Sequence, residues 1–379
     1  METYNITISI NSQYEGILYM ADSATVKDVA RQASVSVGTV SRVFNNHSNV
    51  SEEIRDRVLK AATEVGYTRS VAKDHPTTNP RSIKEIGFLF YSPLHNVTAM
   101  NNPFWPYILD GVEREARQSH TKVIYQDIGE ARGTPQELFA EIQAMRLGGI
   151  LLVGPADQDT VRLLKRLNIP IVLIANYVPG LSVDSVVCDE LEGSLMAMNY
   201  LIKKGHRQIA FIDGSVLRGP DSISKFYAVE RRRIGYRTAL FDAGLPVEPE
   251  LIEFGDLGAT GGYQACQRLL ERHVSFTALF CANDETAIGA IQALRGAGLR
   301  VPEDVSIIGF DDIAMAAHLT PALTTIRVNK EALGAIAVKQ LLERLKEPEG
   351  ISTSTVLEVE LVERASVISP ASVSSRVGK

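Results

Sequence analysis

At 379 residues the chain is long enough for two or three domains, and its 45% apolar content is that of an ordinary globular protein with a sizeable core. No run of about 18 apolar residues occurs, which excludes a helical membrane span by the usual length criterion. The formal net charge of −6 argues against a protein that coats nucleic acid over its whole surface, although a small binding module is easily hidden in an acidic average.

Residues 1–22 begin METYNITISINSQYEGILY, with no basic start, no continuous apolar stretch and no small-residue cleavage site. They are read as a disordered extension or a mis-assigned start, and the protein as cytoplasmic. A compact helical segment follows over residues 23–68. In TVKDVARQ, Thr25 is placed to cap a helix with Asp28 three residues on, and Val26, Val29, Ala30 and Ala33 form its apolar stripe. After a short turn, Ser36 is placed to cap a second helix whose Val40 and Val43 face inward and whose Val37, Gly38, Thr39, Ser41 and Arg42 lie outward. Ser51 opens a third helix, with Glu52 and Glu53 in its first turn, Ile54, Val58, Ala62 and Val65 as its stripe, and Gly66 as its stop. Two helices joined so tightly leave the second free to enter a major groove, which is helix-turn-helix geometry. Over Met20–Ser70 the basic residues outnumber the acidic by one only, so groove geometry carries this reading rather than charge.

Residues 69–82 turn polar, with Pro76 and Pro80, as expected of a hinge or linker. From 83 to 369, short β-rich runs alternate with amphipathic stretches: EIGFLF, KVIYQDI, GGILLVG, IPIVLIA, DSVVC, RQIAFIDG, ALFCAND and VSIIGFDD. That alternation predicts doubly wound parallel sheets flanked by helices, for example over Tyr107–Arg117, Pro135–Arg146, Gly193–Lys203, Arg231–Ala243, Ala287–Ala297 and Ala332–Leu345. Gly205, Gly244 and Gly298 are placed to supply left-handed helix ends. So many strands suggest two lobes with a ligand cleft between them. The serine-rich end, residues 370–379, is read as a disordered tail.

Catalytic motifs are missing. No dinucleotide or phosphate loop, Gly-x-Ser-x-Gly elbow or His-Glu-x-x-His helix occurs, so no catalytic residue and no cofactor is assigned. Cys188, Cys266 and Cys281 are widely spaced in apolar surroundings, as reduced core thiols are, and no metal site is assigned.

The segments TVKDVARQASVSVGTVSRVFN and VSEEIRDRVLKAATEVGY resemble the DNA-binding region of the lactose and galactose repressor (LacI/GalR) family. KKGHRQIAFIDG, ALFCANDETAIGAIQALRGAGLRVPEDVSIIGFDDI and LTTIRV are similar to that family's two-lobed, periplasmic-binding-protein-like (type I) core. The resemblance implies a homodimeric regulator, expected to repress, that grips pseudo-palindromic double-stranded operator DNA, responds to a small carbohydrate effector and has no membrane partner. It implies that Val37, Gly38 and Arg42 face base edges while Thr25, Ser36, Thr39, Ser41 and Asn45 anchor phosphates. It also implies effector contacts at Arg232, Asn283 and Asp311, with Phe104 and Trp105 of NNPFWPY as a stacking pair. Each of these has a plainer alternative: Asp311 as a helix cap, Asn283 as a turn brace, Arg232 on a solvated face, and the aromatics as packing.

The chain departs from the family pattern after GY. Arg69 and Ser70 stand where a proline-asparagine pair is usual, and Pro76 stands where a leucine would wedge into the minor groove, which puts that wedge in doubt. Ala175 and Leu257 stand where an acidic and an aromatic residue occur in relatives. An exported sugar-binding protein and a sugar-metabolising enzyme are the competing readings; the first lacks a use for the helix-turn-helix and the second lacks reactive groups.

Overall fold

The computed structural model describes residues 25–44, 50–65, 85–92, 102–129, 134–215 and 226–370, and the chain divides into two compact units, Met1–Pro80 and Arg81–Lys379. The expectations for residues 1–22, Asn45, Gly66, the 69–82 hinge and the tail beyond Pro370 lie outside the described residues.

The first unit is three helices, α1 (Val26–Gln32), α2 (Val37–Phe44) and α3 (Glu52–Glu64). Their inner faces bring Val29, Ala30, Ala33, Val40, Val43, Val58, Ala61 and Ala62 into one buried cluster, as the 3.6-residue spacing predicts. The Asp28 carboxylate accepts both the Thr25 backbone N–H at 2.8 Å and the Thr25 hydroxyl at 2.6 Å, which fixes the start of α1 and holds the Asp28 carboxyl below its usual range. Ser34 makes the turn in the left-handed region, φ 52°, and Gln32 donates to Glu64 across 2.8 Å to tie α1 to α3. Ser36 Oγ accepts the Thr39 N–H at 3.1 Å, capping α2 as expected.

The second unit holds two parallel sheets. One is built from β1 (Glu85–Phe90), β2 (Lys122–Asp127), β3 (Ile150–Val153), β4 (Ile171–Ile174) and β5 (Asp184–Cys188), interleaved with α4 (Trp105–Gln118), α5 (Pro135–Ala144) and α6 (Gln158–Lys165). Next come α7 (Glu190–Lys204), β6 (Ile209–Asp213), α8 (Tyr227–Asp242), β7 (Ile252–Phe254), α9 (Ala259–Glu271), β8 (Ala278–Cys281), α10 (Asp284–Gly296) and β9 (Ser306–Ile308). The second sheet runs β7-β6-β8-β9, all parallel. The chain then passes through β10 (Thr325–Arg327), α11 (Lys330–Lys346), β11 (Ser354–Leu357) and β12 (Glu360–Val362). Strand β11 joins the first sheet beside β5, giving the order β11-β5-β4-β3-β1-β2, while β10 and β12 pair antiparallel. Central strands such as Ile150–Val153 and Ile171–Ile174 are buried throughout, which is why they read as continuous apolar runs rather than alternating ones.

All eight runs read as strands form strands, and the six helices named from sequence form with ends shifted by up to about four residues. Helices α6 and α9 were not among those named. Helix α9 is rich in small residues because Gly262 and Gly289 let it touch α10: a Cβ at Gly289 would lie 1.9 Å from the Ala259 carbonyl oxygen. Gly205, Gly244 and Gly298 do adopt left-handed conformations at helix ends, φ 106°, 66° and 76°. The three cysteines are free and buried. Among the described residues no helix is long and apolar enough to cross a membrane, and no cluster of metal-ligating side chains occurs.

Candidate functional site

In the three-helix unit the sequence places Val37, Gly38, Ser41 and Arg42 on the exposed side of α2, with Thr39 half-buried and Val40 and Val43 beneath them. Val37 keeps 46% of its surface exposed, an apolar side chain presented to solvent at the leading edge of a helix. Packing takes one side of α2 entirely, so the opposite side is left for a partner. The Ser36 and Thr39 hydroxyls bond each other at 2.9 Å, so both sit at the α2 N-terminus, where backbone N–H groups and the helix dipole favour an anionic group.

In the second unit a cavity of about 210 Å³ collects Phe104, Trp105, Arg232, Asn283 and Asp311, the five residues proposed from sequence as ligand contacts. They arrive from different elements. Asn283 and Asp311 follow β8 and β9, Phe104 and Trp105 begin α4, and Arg232 sits one turn into α8. The carboxyl ends of parallel strands converge there, as the doubly wound arrangement requires.

Arg232 does not lie on a solvated face; it is 5% exposed. Its Nε donates to Glu190 Oε2 at 2.6 Å, Nη1 to the Ala282 carbonyl at 2.5 Å and Nη2 to Asp311 Oδ1 at 3.2 Å. The guanidinium carbon stands 3.8 Å from the Phe310 ring centroid, a cation–π contact. Burial pushes the Asp311 carboxyl up to about 6 even though Arg232 pulls it down. The nearby carboxylates outweigh desolvation and hold Arg232 above its ordinary value, so it remains a cation.

Asn283 combines two roles: its Oδ1 caps α10 by accepting the Thr286 N–H at 2.9 Å, and its Nδ2 donates to the Leu257 carbonyl at 2.9 Å. No capping bond from Asp311 is seen among the described residues; Asp284 Oδ2 instead accepts the Ile313 N–H at 2.9 Å. Phe104 is buried against Trp105 in an edge contact, centroids 4.9 Å apart, and Trp105 makes a second edge contact with Phe90 at 5.3 Å. These aromatics therefore both pack the lobe and line the cavity.

Three cavity-lining residues, Ala175, Leu257 and Asp311, hold φ of 55°, 66° and 103°. Such conformations cost of order 1–3 kcal/mol each in non-glycine residues and gather at binding sites. Two of them, Ala175 and Leu257, are the positions where the family resemblance implied an acidic and an aromatic residue. Sequence reasoning missed Glu190, which is 4% exposed and also accepts the Cys188 thiol at 2.9 Å. The sequence CDELEG shows only an acidic pair, Asp189 and Glu190, after a buried strand, with no sign of which carboxylate turns inward. Tyr227, Asp256 and Glu285 also line the cavity and were missed. Burial raises the Tyr227 and Glu285 groups above their ordinary values.

His206 belongs elsewhere. It is fully buried, with Nε2 2.9 Å from the Ile368 carbonyl, to which it donates, and Nδ1 2.9 Å from the Thr277 hydroxyl, so it braces the turn after α7.

Comparison with known proteins agrees with both units. Residues 25–70 match the family of bacterial regulatory proteins, lacI family, and residues 198–367 match the periplasmic binding protein-like domain. The chain is 34% identical over 346 residues to the ribose operon repressor of Haemophilus influenzae, covering 91% of this chain and 99% of that one. Among solved structures, the transcriptional regulator CelR in complex with cellobiose superposes with a TM-score of 0.68 at 30% identity, over 91% of this chain and all of that one. The Lac repressor dimer bound to operator and the anti-inducer ONPF gives a TM-score of 0.62 at 27% identity, over 92% of this chain and all of that one. With a helix-turn-helix unit, a two-sheet α/β unit and relatives matched along nearly their whole length, the chain belongs to the LacI family of DNA-binding transcription regulators.

Proposed function

We propose that two copies of this chain pair and grip a pseudo-palindromic operator in double-stranded DNA, repressing transcription in the cytoplasm until a small carbohydrate in the cavity alters the grip. The observation that carries the proposal is the two-sided character of α2: Val40 and Val43 are buried while Val37, Gly38, Ser41 and Arg42 are exposed. Arg42 is suited to a forked contact with guanine and Val37 to apolar contact with a thymine methyl, while Gly38 offers no side chain and leaves its base less discriminated. Thr25, Ser36, Thr39, Ser41 and Asn45 anchor the phosphate backbone and fix the register. Residues 23–68 form this module, 69–82 the connection and 83–369 the effector and dimer body.

Arg232, Asn283 and Asp311 supply the polar contacts of the effector and Phe104 and Trp105 the apolar wall, a mixture suited to a sugar ring and its hydroxyls. The relatives that carry cellobiose or operator DNA in their structures support this reading. Effector binding shifts DNA affinity by a coupling of roughly 1–3 kcal/mol, about 5- to 150-fold. A mobility-shift assay on DNA upstream of the protein's own gene, with and without a panel of sugars, tests it. A shifted band that one sugar releases or strengthens is expected; a band indifferent to every sugar would remove the carbohydrate effector, and no band under any condition would remove the DNA role.

A further inference from the structure

Among the described residues the cavity is lined by one cation, Arg232, and the way it is held bears on which ligands are accepted. Arg232 has five N–H donors, and its Nε, one Nη1 hydrogen and one Nη2 hydrogen are engaged with Glu190, Ala282 and Asp311. It is the only basic side chain lining the cavity among the described residues, against four carboxylates: Glu190, Asp256, Glu285 and Asp311. Lys330, whose charge also acts on Asp311, is buried and spends its ammonium on the carbonyl oxygens of Asp311, Asp312 and Val328, at 2.6, 3.1 and 3.3 Å.

Helix N-termini are the other feature that could attract an anion, and two of those at the cavity are answered by the chain itself. Helix α7 carries Glu190 and Glu192 in its first turn, and α10 carries Asp284 and Glu285. An acidic ligand entering the cavity would find only the second Nη1 and Nη2 hydrogens left on the guanidinium, and would set its charge beside the buried Glu190 and Asp311 carboxylates that already balance it.

We propose that this cavity selects uncharged or ammonium-bearing polyols and rejects those carrying a carboxylate or phosphate, because Glu190 and Asp311 already balance the guanidinium charge and a third anion would meet an excess of carboxylates. The inference rests on the carbohydrate-effector reading above and narrows it. A neutral sugar needs only hydrogen bonds, and the unpaired lone pairs of Glu190, Asp311 and Glu285 accept those from hydroxyls. An amino sugar adds a charge of the favourable sign. Glu190 is thus a specificity residue acting both directly on the ligand and through Arg232.

The test is isothermal calorimetry and thermal shift on the purified full-length protein at pH 7.5. The probes are two matched sets, D-glucose, D-glucosamine, D-glucuronate and D-glucose 6-phosphate, and the same four built on D-galactose, with D-ribose and D-ribose 5-phosphate added. Each sugar that binds is expected to exceed its acidic counterpart by at least about tenfold, the direction that like-charge repulsion imposes on specificity. E190Q is expected to narrow that ratio at least about threefold by removing one of the charges. The Glu285→Gln variant, at a half-buried position away from the Arg232 network, serves the same purpose should E190Q fail to fold. A uronate or phosphate ester binding tighter than its neutral parent would overturn the charge inference and leave the carbohydrate effector standing. An unchanged ratio in a folded variant would overturn it as well. Binding by no member would overturn the carbohydrate reading and this inference together.

Discussion

Replacing Arg232 with methionine removes the centre of a buried charge cluster while leaving a side chain of similar length. The Glu190 and Asp311 carboxylates, 4% and 5% exposed, then lose partners at 2.6 and 3.2 Å, and the Ala282 carbonyl loses a donor at 2.5 Å. Breaking a buried pair by deleting one member costs about 3–5 kcal/mol, because the survivors stay desolvated and unpaired. Against a whole-domain stability of about 5–15 kcal/mol that is a large fraction. In a unit of this size it corresponds to a Tm lower by roughly 5–8 °C, measured by far-ultraviolet circular dichroism. The triple variant Glu190→Gln, Arg232→Met, Asp311→Asn is expected to recover most of the loss, since no buried charge is then left unpaired.

The deficit has a pH signature. Burial already raises Asp311 to about 6, above its ordinary 3.8, so its ionisation opposes folding: the associated stability is present below the unfolded value and is lost as pH rises through the folded one. Without the opposing pull of Arg232 the carboxyl rises further. The Arg232→Met protein should therefore lie closer to the parent at pH 5 than at pH 8. A single variant within about 0.5 kcal/mol of the parent at pH 8, the range of an ordinary surface change, would refute the reasoning.

Three further outcomes follow from local geometry. Arg42→Ala should lose about 1–3 kcal/mol of DNA affinity concentrated at one base position, whereas Ser41→Ala should weaken all sequences alike, as read from binding to a base-substituted operator series. Burial and the neighbouring Arg207 charge lower the His206 pKa despite its hydrogen bond to Ile368, so the stability it contributes is present above 6.5 and lost as pH falls through the depressed folded value; His206→Gln should flatten that acid limb in urea midpoints taken between pH 7.5 and 5. Gly289→Ala, forced against the Ala259 carbonyl, should destabilise by about 1–3 kcal/mol, while Gly296→Ala at the end of the same helix meets nothing within 4 Å and should be neutral or stabilising in the same unfolding assay.

Much of the architecture was legible because its signals are local. The Val29, Ala30, Val40, Val43 and Val58 spacing fixes the three-helix core, and the fully apolar strands such as Ile171–Ile174 announce a sheet covered on both faces. Helix α9 was less legible, since Gly261, Gly262 and Ala265 look like loop material until the close approach to α10 explains them. In the cavity, the residues with a matched motif were named, and those identified only by partnership were not. Glu190 lies 42 positions from Arg232, and nothing local to CDELEG says that its carboxylate meets a guanidinium. The plainer alternatives for Asn283, Phe104 and Trp105 also turn out to coexist with cavity lining rather than compete with it, because a residue at a strand end braces its turn and faces the cleft with different atoms.

The central claim is that the exposed edge of α2 reads base edges in a two-fold site, and selection of bound sequences from a random pool of duplex DNA by the purified full-length protein tests it most directly. The account predicts enrichment of an inverted repeat whose half-sites lie about one helical turn apart. It further predicts that Arg42→Ala relaxes one symmetric pair of positions and leaves the spacing unchanged. Recovery of no sequence in preference to any other, with the parent protein folded and at low salt, would contradict it.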